Sequence, residues 1–169
     1  MEWTNKMTDT WGVARVAIAM LLSTLLLIIG PSSALAQSED EEAAKGLVEA
    51  FLIAVGDGDL DALPDMFVSN ANIGTASLRD GSWDTSTMTF DEWLTSLRKQ
   101  TTWTRFREPV SEFTIHVEDS RMAFVRANAT VFVDDQARSY NIDYFTLVRE
   151  DGKWKFLSAS YVAKPITSD

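Results

Sequence analysis

From Trp103 onward apolar residues recur at every second position, interrupted only by short polar turns. That period belongs to strands, whose successive side chains face opposite ways, and it commits the C-terminal part of the chain to a sheet. The runs span 103–117 (interrupted at Pro109), 121–133, 140–149 and 154–163. Glu118-Asp119-Ser120, Asp134-Asp135-Gln136 and Glu150-Asp151-Gly152 have hairpin length, and Asp151-Gly152 suits a primed turn. Ala123, Val125, Ala127, Ala129 and Val131 make one small apolar face that a helix can approach closely.

Upstream the period is helical. The acidic lead Gln37-Ser38-Glu39-Asp40-Glu41-Glu42 carries a capping box in Ser38 and Glu41, and Leu47, Val48, Phe51, Leu52 and Val55 then share one helix stripe. Gly56 and Gly58 can end this helix with positive φ. Asp59 can cap a short second helix over 60–67, limited by Pro64. A short strand over 72–76 and a polar loop over 77–88 are expected next. Thr89 and Glu92 form a second capping box before a third helix carrying Phe90, Trp93, Leu94 and Leu97. Three helices followed by an antiparallel meander predict an α+β domain with its helices on one sheet face.

The N-terminal segment reads as a signal peptide over 1–36. Residues 16–29 (VAIAMLLSTLLLII) cover about 21 Å as a helix, short of the ~30 Å hydrocarbon layer. Arg15 precedes them, Gly30-Pro31 breaks the helix, and Ala34-Leu35-Ala36 offers a small-x-small cleavage site. Glu2 and Asp9 cancel Lys6 and Arg15, so the charge before the apolar run is atypical. Cleavage after Ala36 leaves 37–169 as a periplasmic or secreted domain off the membrane; an uncleaved anchor is the alternative.

Net charge of −10 argues against nucleic acid and anionic membrane partners. The absence of cysteine excludes disulfides and thiolate metal sites, and a single histidine excludes two-His sites, so no metal or cofactor is expected. Asp57-Gly58-Asp59-Leu60-Asp61 starts like a calcium loop, but Ala62 and Val68 stand where that loop needs Gly and Glu.

The order G-D-G-D-L-D-A-L, short helix, F-V-S-N-A-N-I and the ending D-Y-F-T-L-V-R-E-D-G-K-W-K-F resemble the nuclear transport factor 2-like superfamily over about residues 42–163. The ending is most similar to its lumazine-binding and polyketide-cyclase-like branches. The resemblance implies a cone-like, strongly curved sheet around helices, a pocket at the open end and frequent homodimers. Isomerases, dehydratases, cyclases and small-ligand binders share that fold, so it does not fix an activity. By similarity to ketosteroid isomerase, the first-helix tyrosine falls at Phe51 and the general base at Thr75. The protonated aspartate falls at Tyr144, or at Asp143 with a one-residue slip. Neighbouring strand residues face opposite ways, so Asp143 and Tyr144 cannot both line a pocket.

The expected role is a non-catalytic small-molecule-binding or interaction module, with Phe51, Trp103 and Tyr144 lining a pocket for a small apolar or aromatic ligand. The alternative is a lyase, isomerase or dehydratase using Asp143 or His116 with Tyr144 as donor. His116 otherwise reads as a solvent or dimer-face residue, and Asp143 as a satisfied structural carboxylate. Arg98, Lys99, Arg105 and Arg107 around Trp103 and Phe106 could hold an anionic or aromatic ligand, or simply form a basic helix end and an edge strand. The sequon Asn128-Ala129-Thr130 lies inside an expected strand, where glycan attachment is disfavoured.

Overall fold

The computed structural model describes residues 30–100 and 105–166. The chain divides into two compact units, Met1–Ser38 and Glu39–Asp169. The apolar run over 16–29, on which the signal-peptide reading rests, lies outside the described residues. No helix among the described residues is long and apolar enough to cross a membrane.

Helix α1 (Gly30–Asp57) runs without a break through Ser38, so the expected capping box is helix interior rather than a start. Pro31 stands in the first described turn of this helix, where a residue without an N–H interrupts nothing; whether Gly30-Pro31 ends the helix expected over 16–29 lies outside the described residues. From Glu39 on it buries Val48, Phe51, Leu52 and Val55 of the expected stripe and adds Ala44, while Leu47 is only half-buried against the core. Gly58 ends it at φ +72, with its N–H donating to Val55 O at 3.3 Å and that of Asp59 to Ala54 O at 2.9 Å. Only glycine takes that left-handed position without strain.

The expected second helix is a single 3-10 turn, Leu63–Met66, preceded by Ala62 with no side-chain cap. Asp59 therefore caps nothing, and the domain has two α-helices rather than three. The third expected helix is α2 (Phe90–Lys99), closed by its capping box: the Thr89 N–H donates to Glu92 Oε2 at 2.9 Å, and the Glu92 N–H to Thr89 Oγ1 at 3.3 Å.

The strands are β1 (Phe67–Arg79), β2 (Ser82–Thr89), β3 (Phe106–Arg107), β4 (Val110–Glu118), β5 (Met122–Val133), β6 (Gln136–Glu150) and β7 (Lys153–Pro165). The expected polar loop is thus the second arm of a hairpin, turned at Asp80 (φ 49) and Gly81 (φ 78). Strand order is β2-β1-β7-β6-β5, with β3 and β4 both pairing β5. The meander holds from β4 to β7, but β1 enters beside β7 in parallel, Ile73 against Ala159. The result is an α+β fold on one curved sheet.

One sheet face carries the core. Ala123, Val125, Ala127 and Ala129 of β5 and Asn141, Asp143, Phe145 and Leu147 of β6 are buried on it. Phe51 of α1 meets Phe67, Phe145 and Phe156 there, with ring centroids 5.1–6.1 Å apart. Phe67 stacks on Phe90 of α2 at 4.0 Å, tying the hairpin to the second helix. Each such ring contributes roughly 1.5–3 kcal/mol of burial.

Candidate functional site

A cavity of about 460 Å³ lies between α1, α2 and the inner sheet face. Phe51, Leu52 and Val55 line it from α1, and Trp93 and Leu97 from α2. These residues share one helix face because they recur at three- and four-residue spacing. Ala159 and Ala163 of β7 leave room at the sheet.

The titratable part of the wall comes from Glu108, between β3 and β4, Asp143 of β6 and Tyr161 of β7, with Asn141 of β6 beside them. Asp143 and Tyr161 are direct cross-strand neighbours. Ser139 Oγ donates to Asn141 Oδ1 at 3.0 Å, and Asn141 Nδ2 donates to Glu108 Oε1 at 2.7 Å. Asp143 is 4% exposed, and its Oδ2 has no hydrogen-bond partner among the described residues.

Burial pushes the Glu108 carboxyl up to about 6 against the opposing hydrogen bond from Asn141. Burial, and then the neighbouring Glu108 charge, push Asp143 up to about 8. The Tyr161 phenol is also raised, first by burial and then by Glu108. Near neutral pH the two carboxyls therefore hold one proton and one negative charge between them. Such a pair can hydrogen-bond a ligand from either side: one carboxyl group accepts while the other donates.

The expected site residues separate. Phe51 lines the cavity and so does Asp143, which settles the choice between neighbouring β6 positions. Tyr144 faces the other way and is 46% exposed, so it cannot line the cavity or serve there as donor. Trp103 lies outside the described residues. His116 is also on the outer face, exposed, with Nε2 3.2 Å from Glu118 Oε2, and cannot act with Asp143. Thr75 is held by Ser86 at 2.9 Å and does not line the cavity.

The basic cluster does not converge on the cavity. Arg98 pairs with Asp61 at 2.7 Å, while Arg105 and Arg107 lie 3.1 and 3.7 Å from Asp135. The Arg107 guanidinium also covers the Phe132 ring at 3.8 Å. Sequence reasoning missed Glu108, Asn141 and Tyr161. Glu108 follows a two-residue strand and has no period to betray its burial. Asn141 was legible, since it precedes Asp143, Phe145 and Leu147 on one β6 face.

The profile of the family described as "Putative lumazine-binding" matches residues 39–162. No curated protein matches the chain. Among solved structures, an NTF2-like protein with a cystatin-like fold from Novosphingobium aromaticivorans is similar at TM-score 0.65 and 17% identity, over 80% of this chain and 89% of that one. An NTF-2 like protein of unknown function from Silicibacter pomeroyi aligns at TM-score 0.53 and 20% identity, over 75% of this chain and 97% of that one. A protein of Novosphingobium aromaticivorans described as "Putative Scytalone Dehydratase" aligns at TM-score 0.56 and 18% identity, over 72% and 82%. At these identities the likeness is one of fold.

Proposed function

The chain belongs to the "Putative lumazine-binding" family of the nuclear transport factor 2-like superfamily, and from that membership we propose that it is a non-catalytic binding module for a small, mainly apolar molecule. The observation that carries this reading is the cavity: aromatic and aliphatic side chains form most of its wall, and Glu108 and Asp143 are its carboxyl groups. Apolar area supplies the affinity and the carboxyls orient the ligand. Native mass spectrometry of the purified protein tests it. A retained small mass that disappears in Ala163→Trp, which fills the cavity from β7, supports the reading. Equal retention by the filled variant rejects it.

One observation favours a second reading, a lyase, isomerase or dehydratase. An ionised Glu108 beside a protonated Asp143 is a base next to an acid, with the Tyr161 hydroxyl as a further donor. Turnover of a bound compound that Glu108→Gln abolishes without loss of binding would decide for it.

Two further parts of the proposal concern context. Ala34-Leu35-Ala36 after the apolar run supports export with cleavage after Ala36. Exposed Phe124 and Tyr144 on the outer sheet face support a homodimer contact there.

A further inference from the structure

We infer that the cavity is made for an organic cation: a small amine whose ammonium group meets Glu108 and Asp143 while its apolar body lies against Phe51, Trp93 and Phe145. This rests on the binding role proposed above and specifies the charge of the ligand.

The cavity wall carries acid and no base. Among its described lining residues are two carboxyl groups and no lysine, arginine or histidine. The helices contribute only apolar and neutral polar side chains to it, and residues 101–104 are Thr-Thr-Trp-Thr in sequence. Arg79, exposed at the end of β1, acts on the Tyr161 phenol but is not part of the wall. An anionic ligand would bring a second negative charge beside the one the carboxyl pair already holds, with no lysine, arginine or histidine among the described lining residues to balance it.

Asp143 supplies the second, independent observation. It is 4% exposed, and its Oδ2 has no hydrogen-bond partner among the described residues. The half-buried Glu108 carboxylate accepts from a neutral group, the Asn141 amide. A carboxyl group as buried as Asp143 is neutralised by a proton or by a cation. An ammonium group offers three donors for these oxygens and the Tyr161 hydroxyl. The surrounding rings favour the same charge, because aromatic faces attract cations. Phe51 lies 6.0 Å from Trp93 and 6.1 Å from Phe145, centroid to centroid, so several rings border one volume.

The arrangement has a consequence in protons. Near neutral pH the empty pair keeps one proton, and an arriving cation favours its release. Amine binding should therefore tighten as pH rises through about 6 to about 8, with protons released to the buffer.

Calorimetric titration of the purified full chain with 2-naphthylmethylamine, 2-naphthylmethanol and 2-naphthoate tests this, since the three share an apolar body and differ in charge. The amine should bind about tenfold tighter than the alcohol or better, with naphthoate weakest. Glu108→Gln combined with Asp143→Asn should remove the preference for the amine while keeping alcohol binding, which reports that the variant is folded. Alcohol binding equal to or tighter than amine binding overturns the cation inference and leaves the binding role standing. An amine preference that survives the double variant also overturns it. Failure of all three probes to bind overturns the inference and the binding role together.

Discussion

Asn141 of β6 reaches across to the link between β3 and β4 and donates from Nδ2 to Glu108 Oε1 at 2.7 Å. That neutral donor sets the half-buried Glu108 apart from the buried Asp143. Glu108 has it and rises only to about 6. Asp143, two positions along the same β6 face, has no such donor, feels the Glu108 charge and rises to about 8. Burial and then the Glu108 charge leave the proton on Asp143, while the Asn141 hydrogen bond holds Glu108 lower.

Stability should fall with rising pH as a result. Both groups sit above their ordinary values of 4.5 and 3.8, so the folded chain holds their protons more tightly than the unfolded one. Their contribution is fully present below about pH 4 and is lost as pH rises through about 6 and then about 8. Urea unfolding across this range should show the midpoint dropping toward the alkaline end. Asp143→Asn should flatten the drop, raising the midpoint at the alkaline end and leaving the acid end nearly unchanged. A midpoint independent of pH in both proteins would contradict the raised carboxyls.

Phe51 is a core residue as well as a cavity residue. Its ring meets Phe67, Trp93, Phe145 and Phe156 at 5.5, 6.0, 6.1 and 5.1 Å. Phe51→Ala should cost about 3–5 kcal/mol by chemical denaturation. Ligand retention must then be compared on the folded fraction, where losing the ring should still weaken it. A cost below about 1 kcal/mol would mean that the aromatic cluster closes over the gap.

Alternation made the inner face of β5 readable, because Ala123 to Val131 keep one period and one side. It failed at β7 for a local reason. Leu147 pairs with Phe156 and Thr146 with Ser158, so Leu157 is an extra residue that shifts the register. Strict alternation from Trp154 would turn Tyr161 outward; the bulge brings it into the cavity wall with Ala159 and Ala163. β2 was hidden for another reason. Ser82 to Thr87 are all exposed, leaving no buried side to impose a pattern. Glu108 gave no signal because its partial burial is tertiary: it stands on a short link beside α1 and bonds Asn141 of β6.

Asp40, 6% exposed, pairs with Arg149, whose guanidinium also lies 4.8 Å from the Trp154 ring centre. The pair joins the start of the second unit to the β6–β7 hairpin. Asp40→Ala leaves the arginine partly buried without its carboxylate and should cost about 3 kcal/mol. Adding Arg149→Met should recover part of that loss, since a flexible apolar side chain can still cover Trp154. A double-mutant cycle by urea denaturation checks this; additive losses would show that the two groups do not cooperate.

Processing bears on the same helix. In the full chain Ser38 is helix interior, whereas a chain beginning at Gln37 would place it at the helix start, where its hydroxyl can pair with the N–H of Glu41. Intact mass of exported protein should therefore correspond to Gln37 as first residue. Ser38→Ala should then destabilise the mature chain by about 0.5–2 kcal/mol and the uncleaved chain much less. A mass retaining residues 1–36 would favour the anchor.

The outer sheet face should hold two copies together. Phe124 and Tyr144, on neighbouring strands, are 49% and 46% exposed and border a hollow of about 400 Å³ with His116, Arg126 and Thr146. Two large exposed rings on neighbouring strands are a patch that association covers. A two-fold contact would place each hollow against the same surface of the other copy, so one substitution acts twice. The purified chain should scatter light as a dimer at micromolar concentration. Phe124→Glu with Tyr144→Glu should shift it to monomer, because four carboxylates would then meet across the contact. Both positions are exposed and lie outside the core cluster, so the stability of the single subunit should change by only about 0.5 kcal/mol for each. A wild-type chain that stays monomeric across that range would remove the outer face from the assembly, and a dimer that survives both substitutions would place the contact elsewhere.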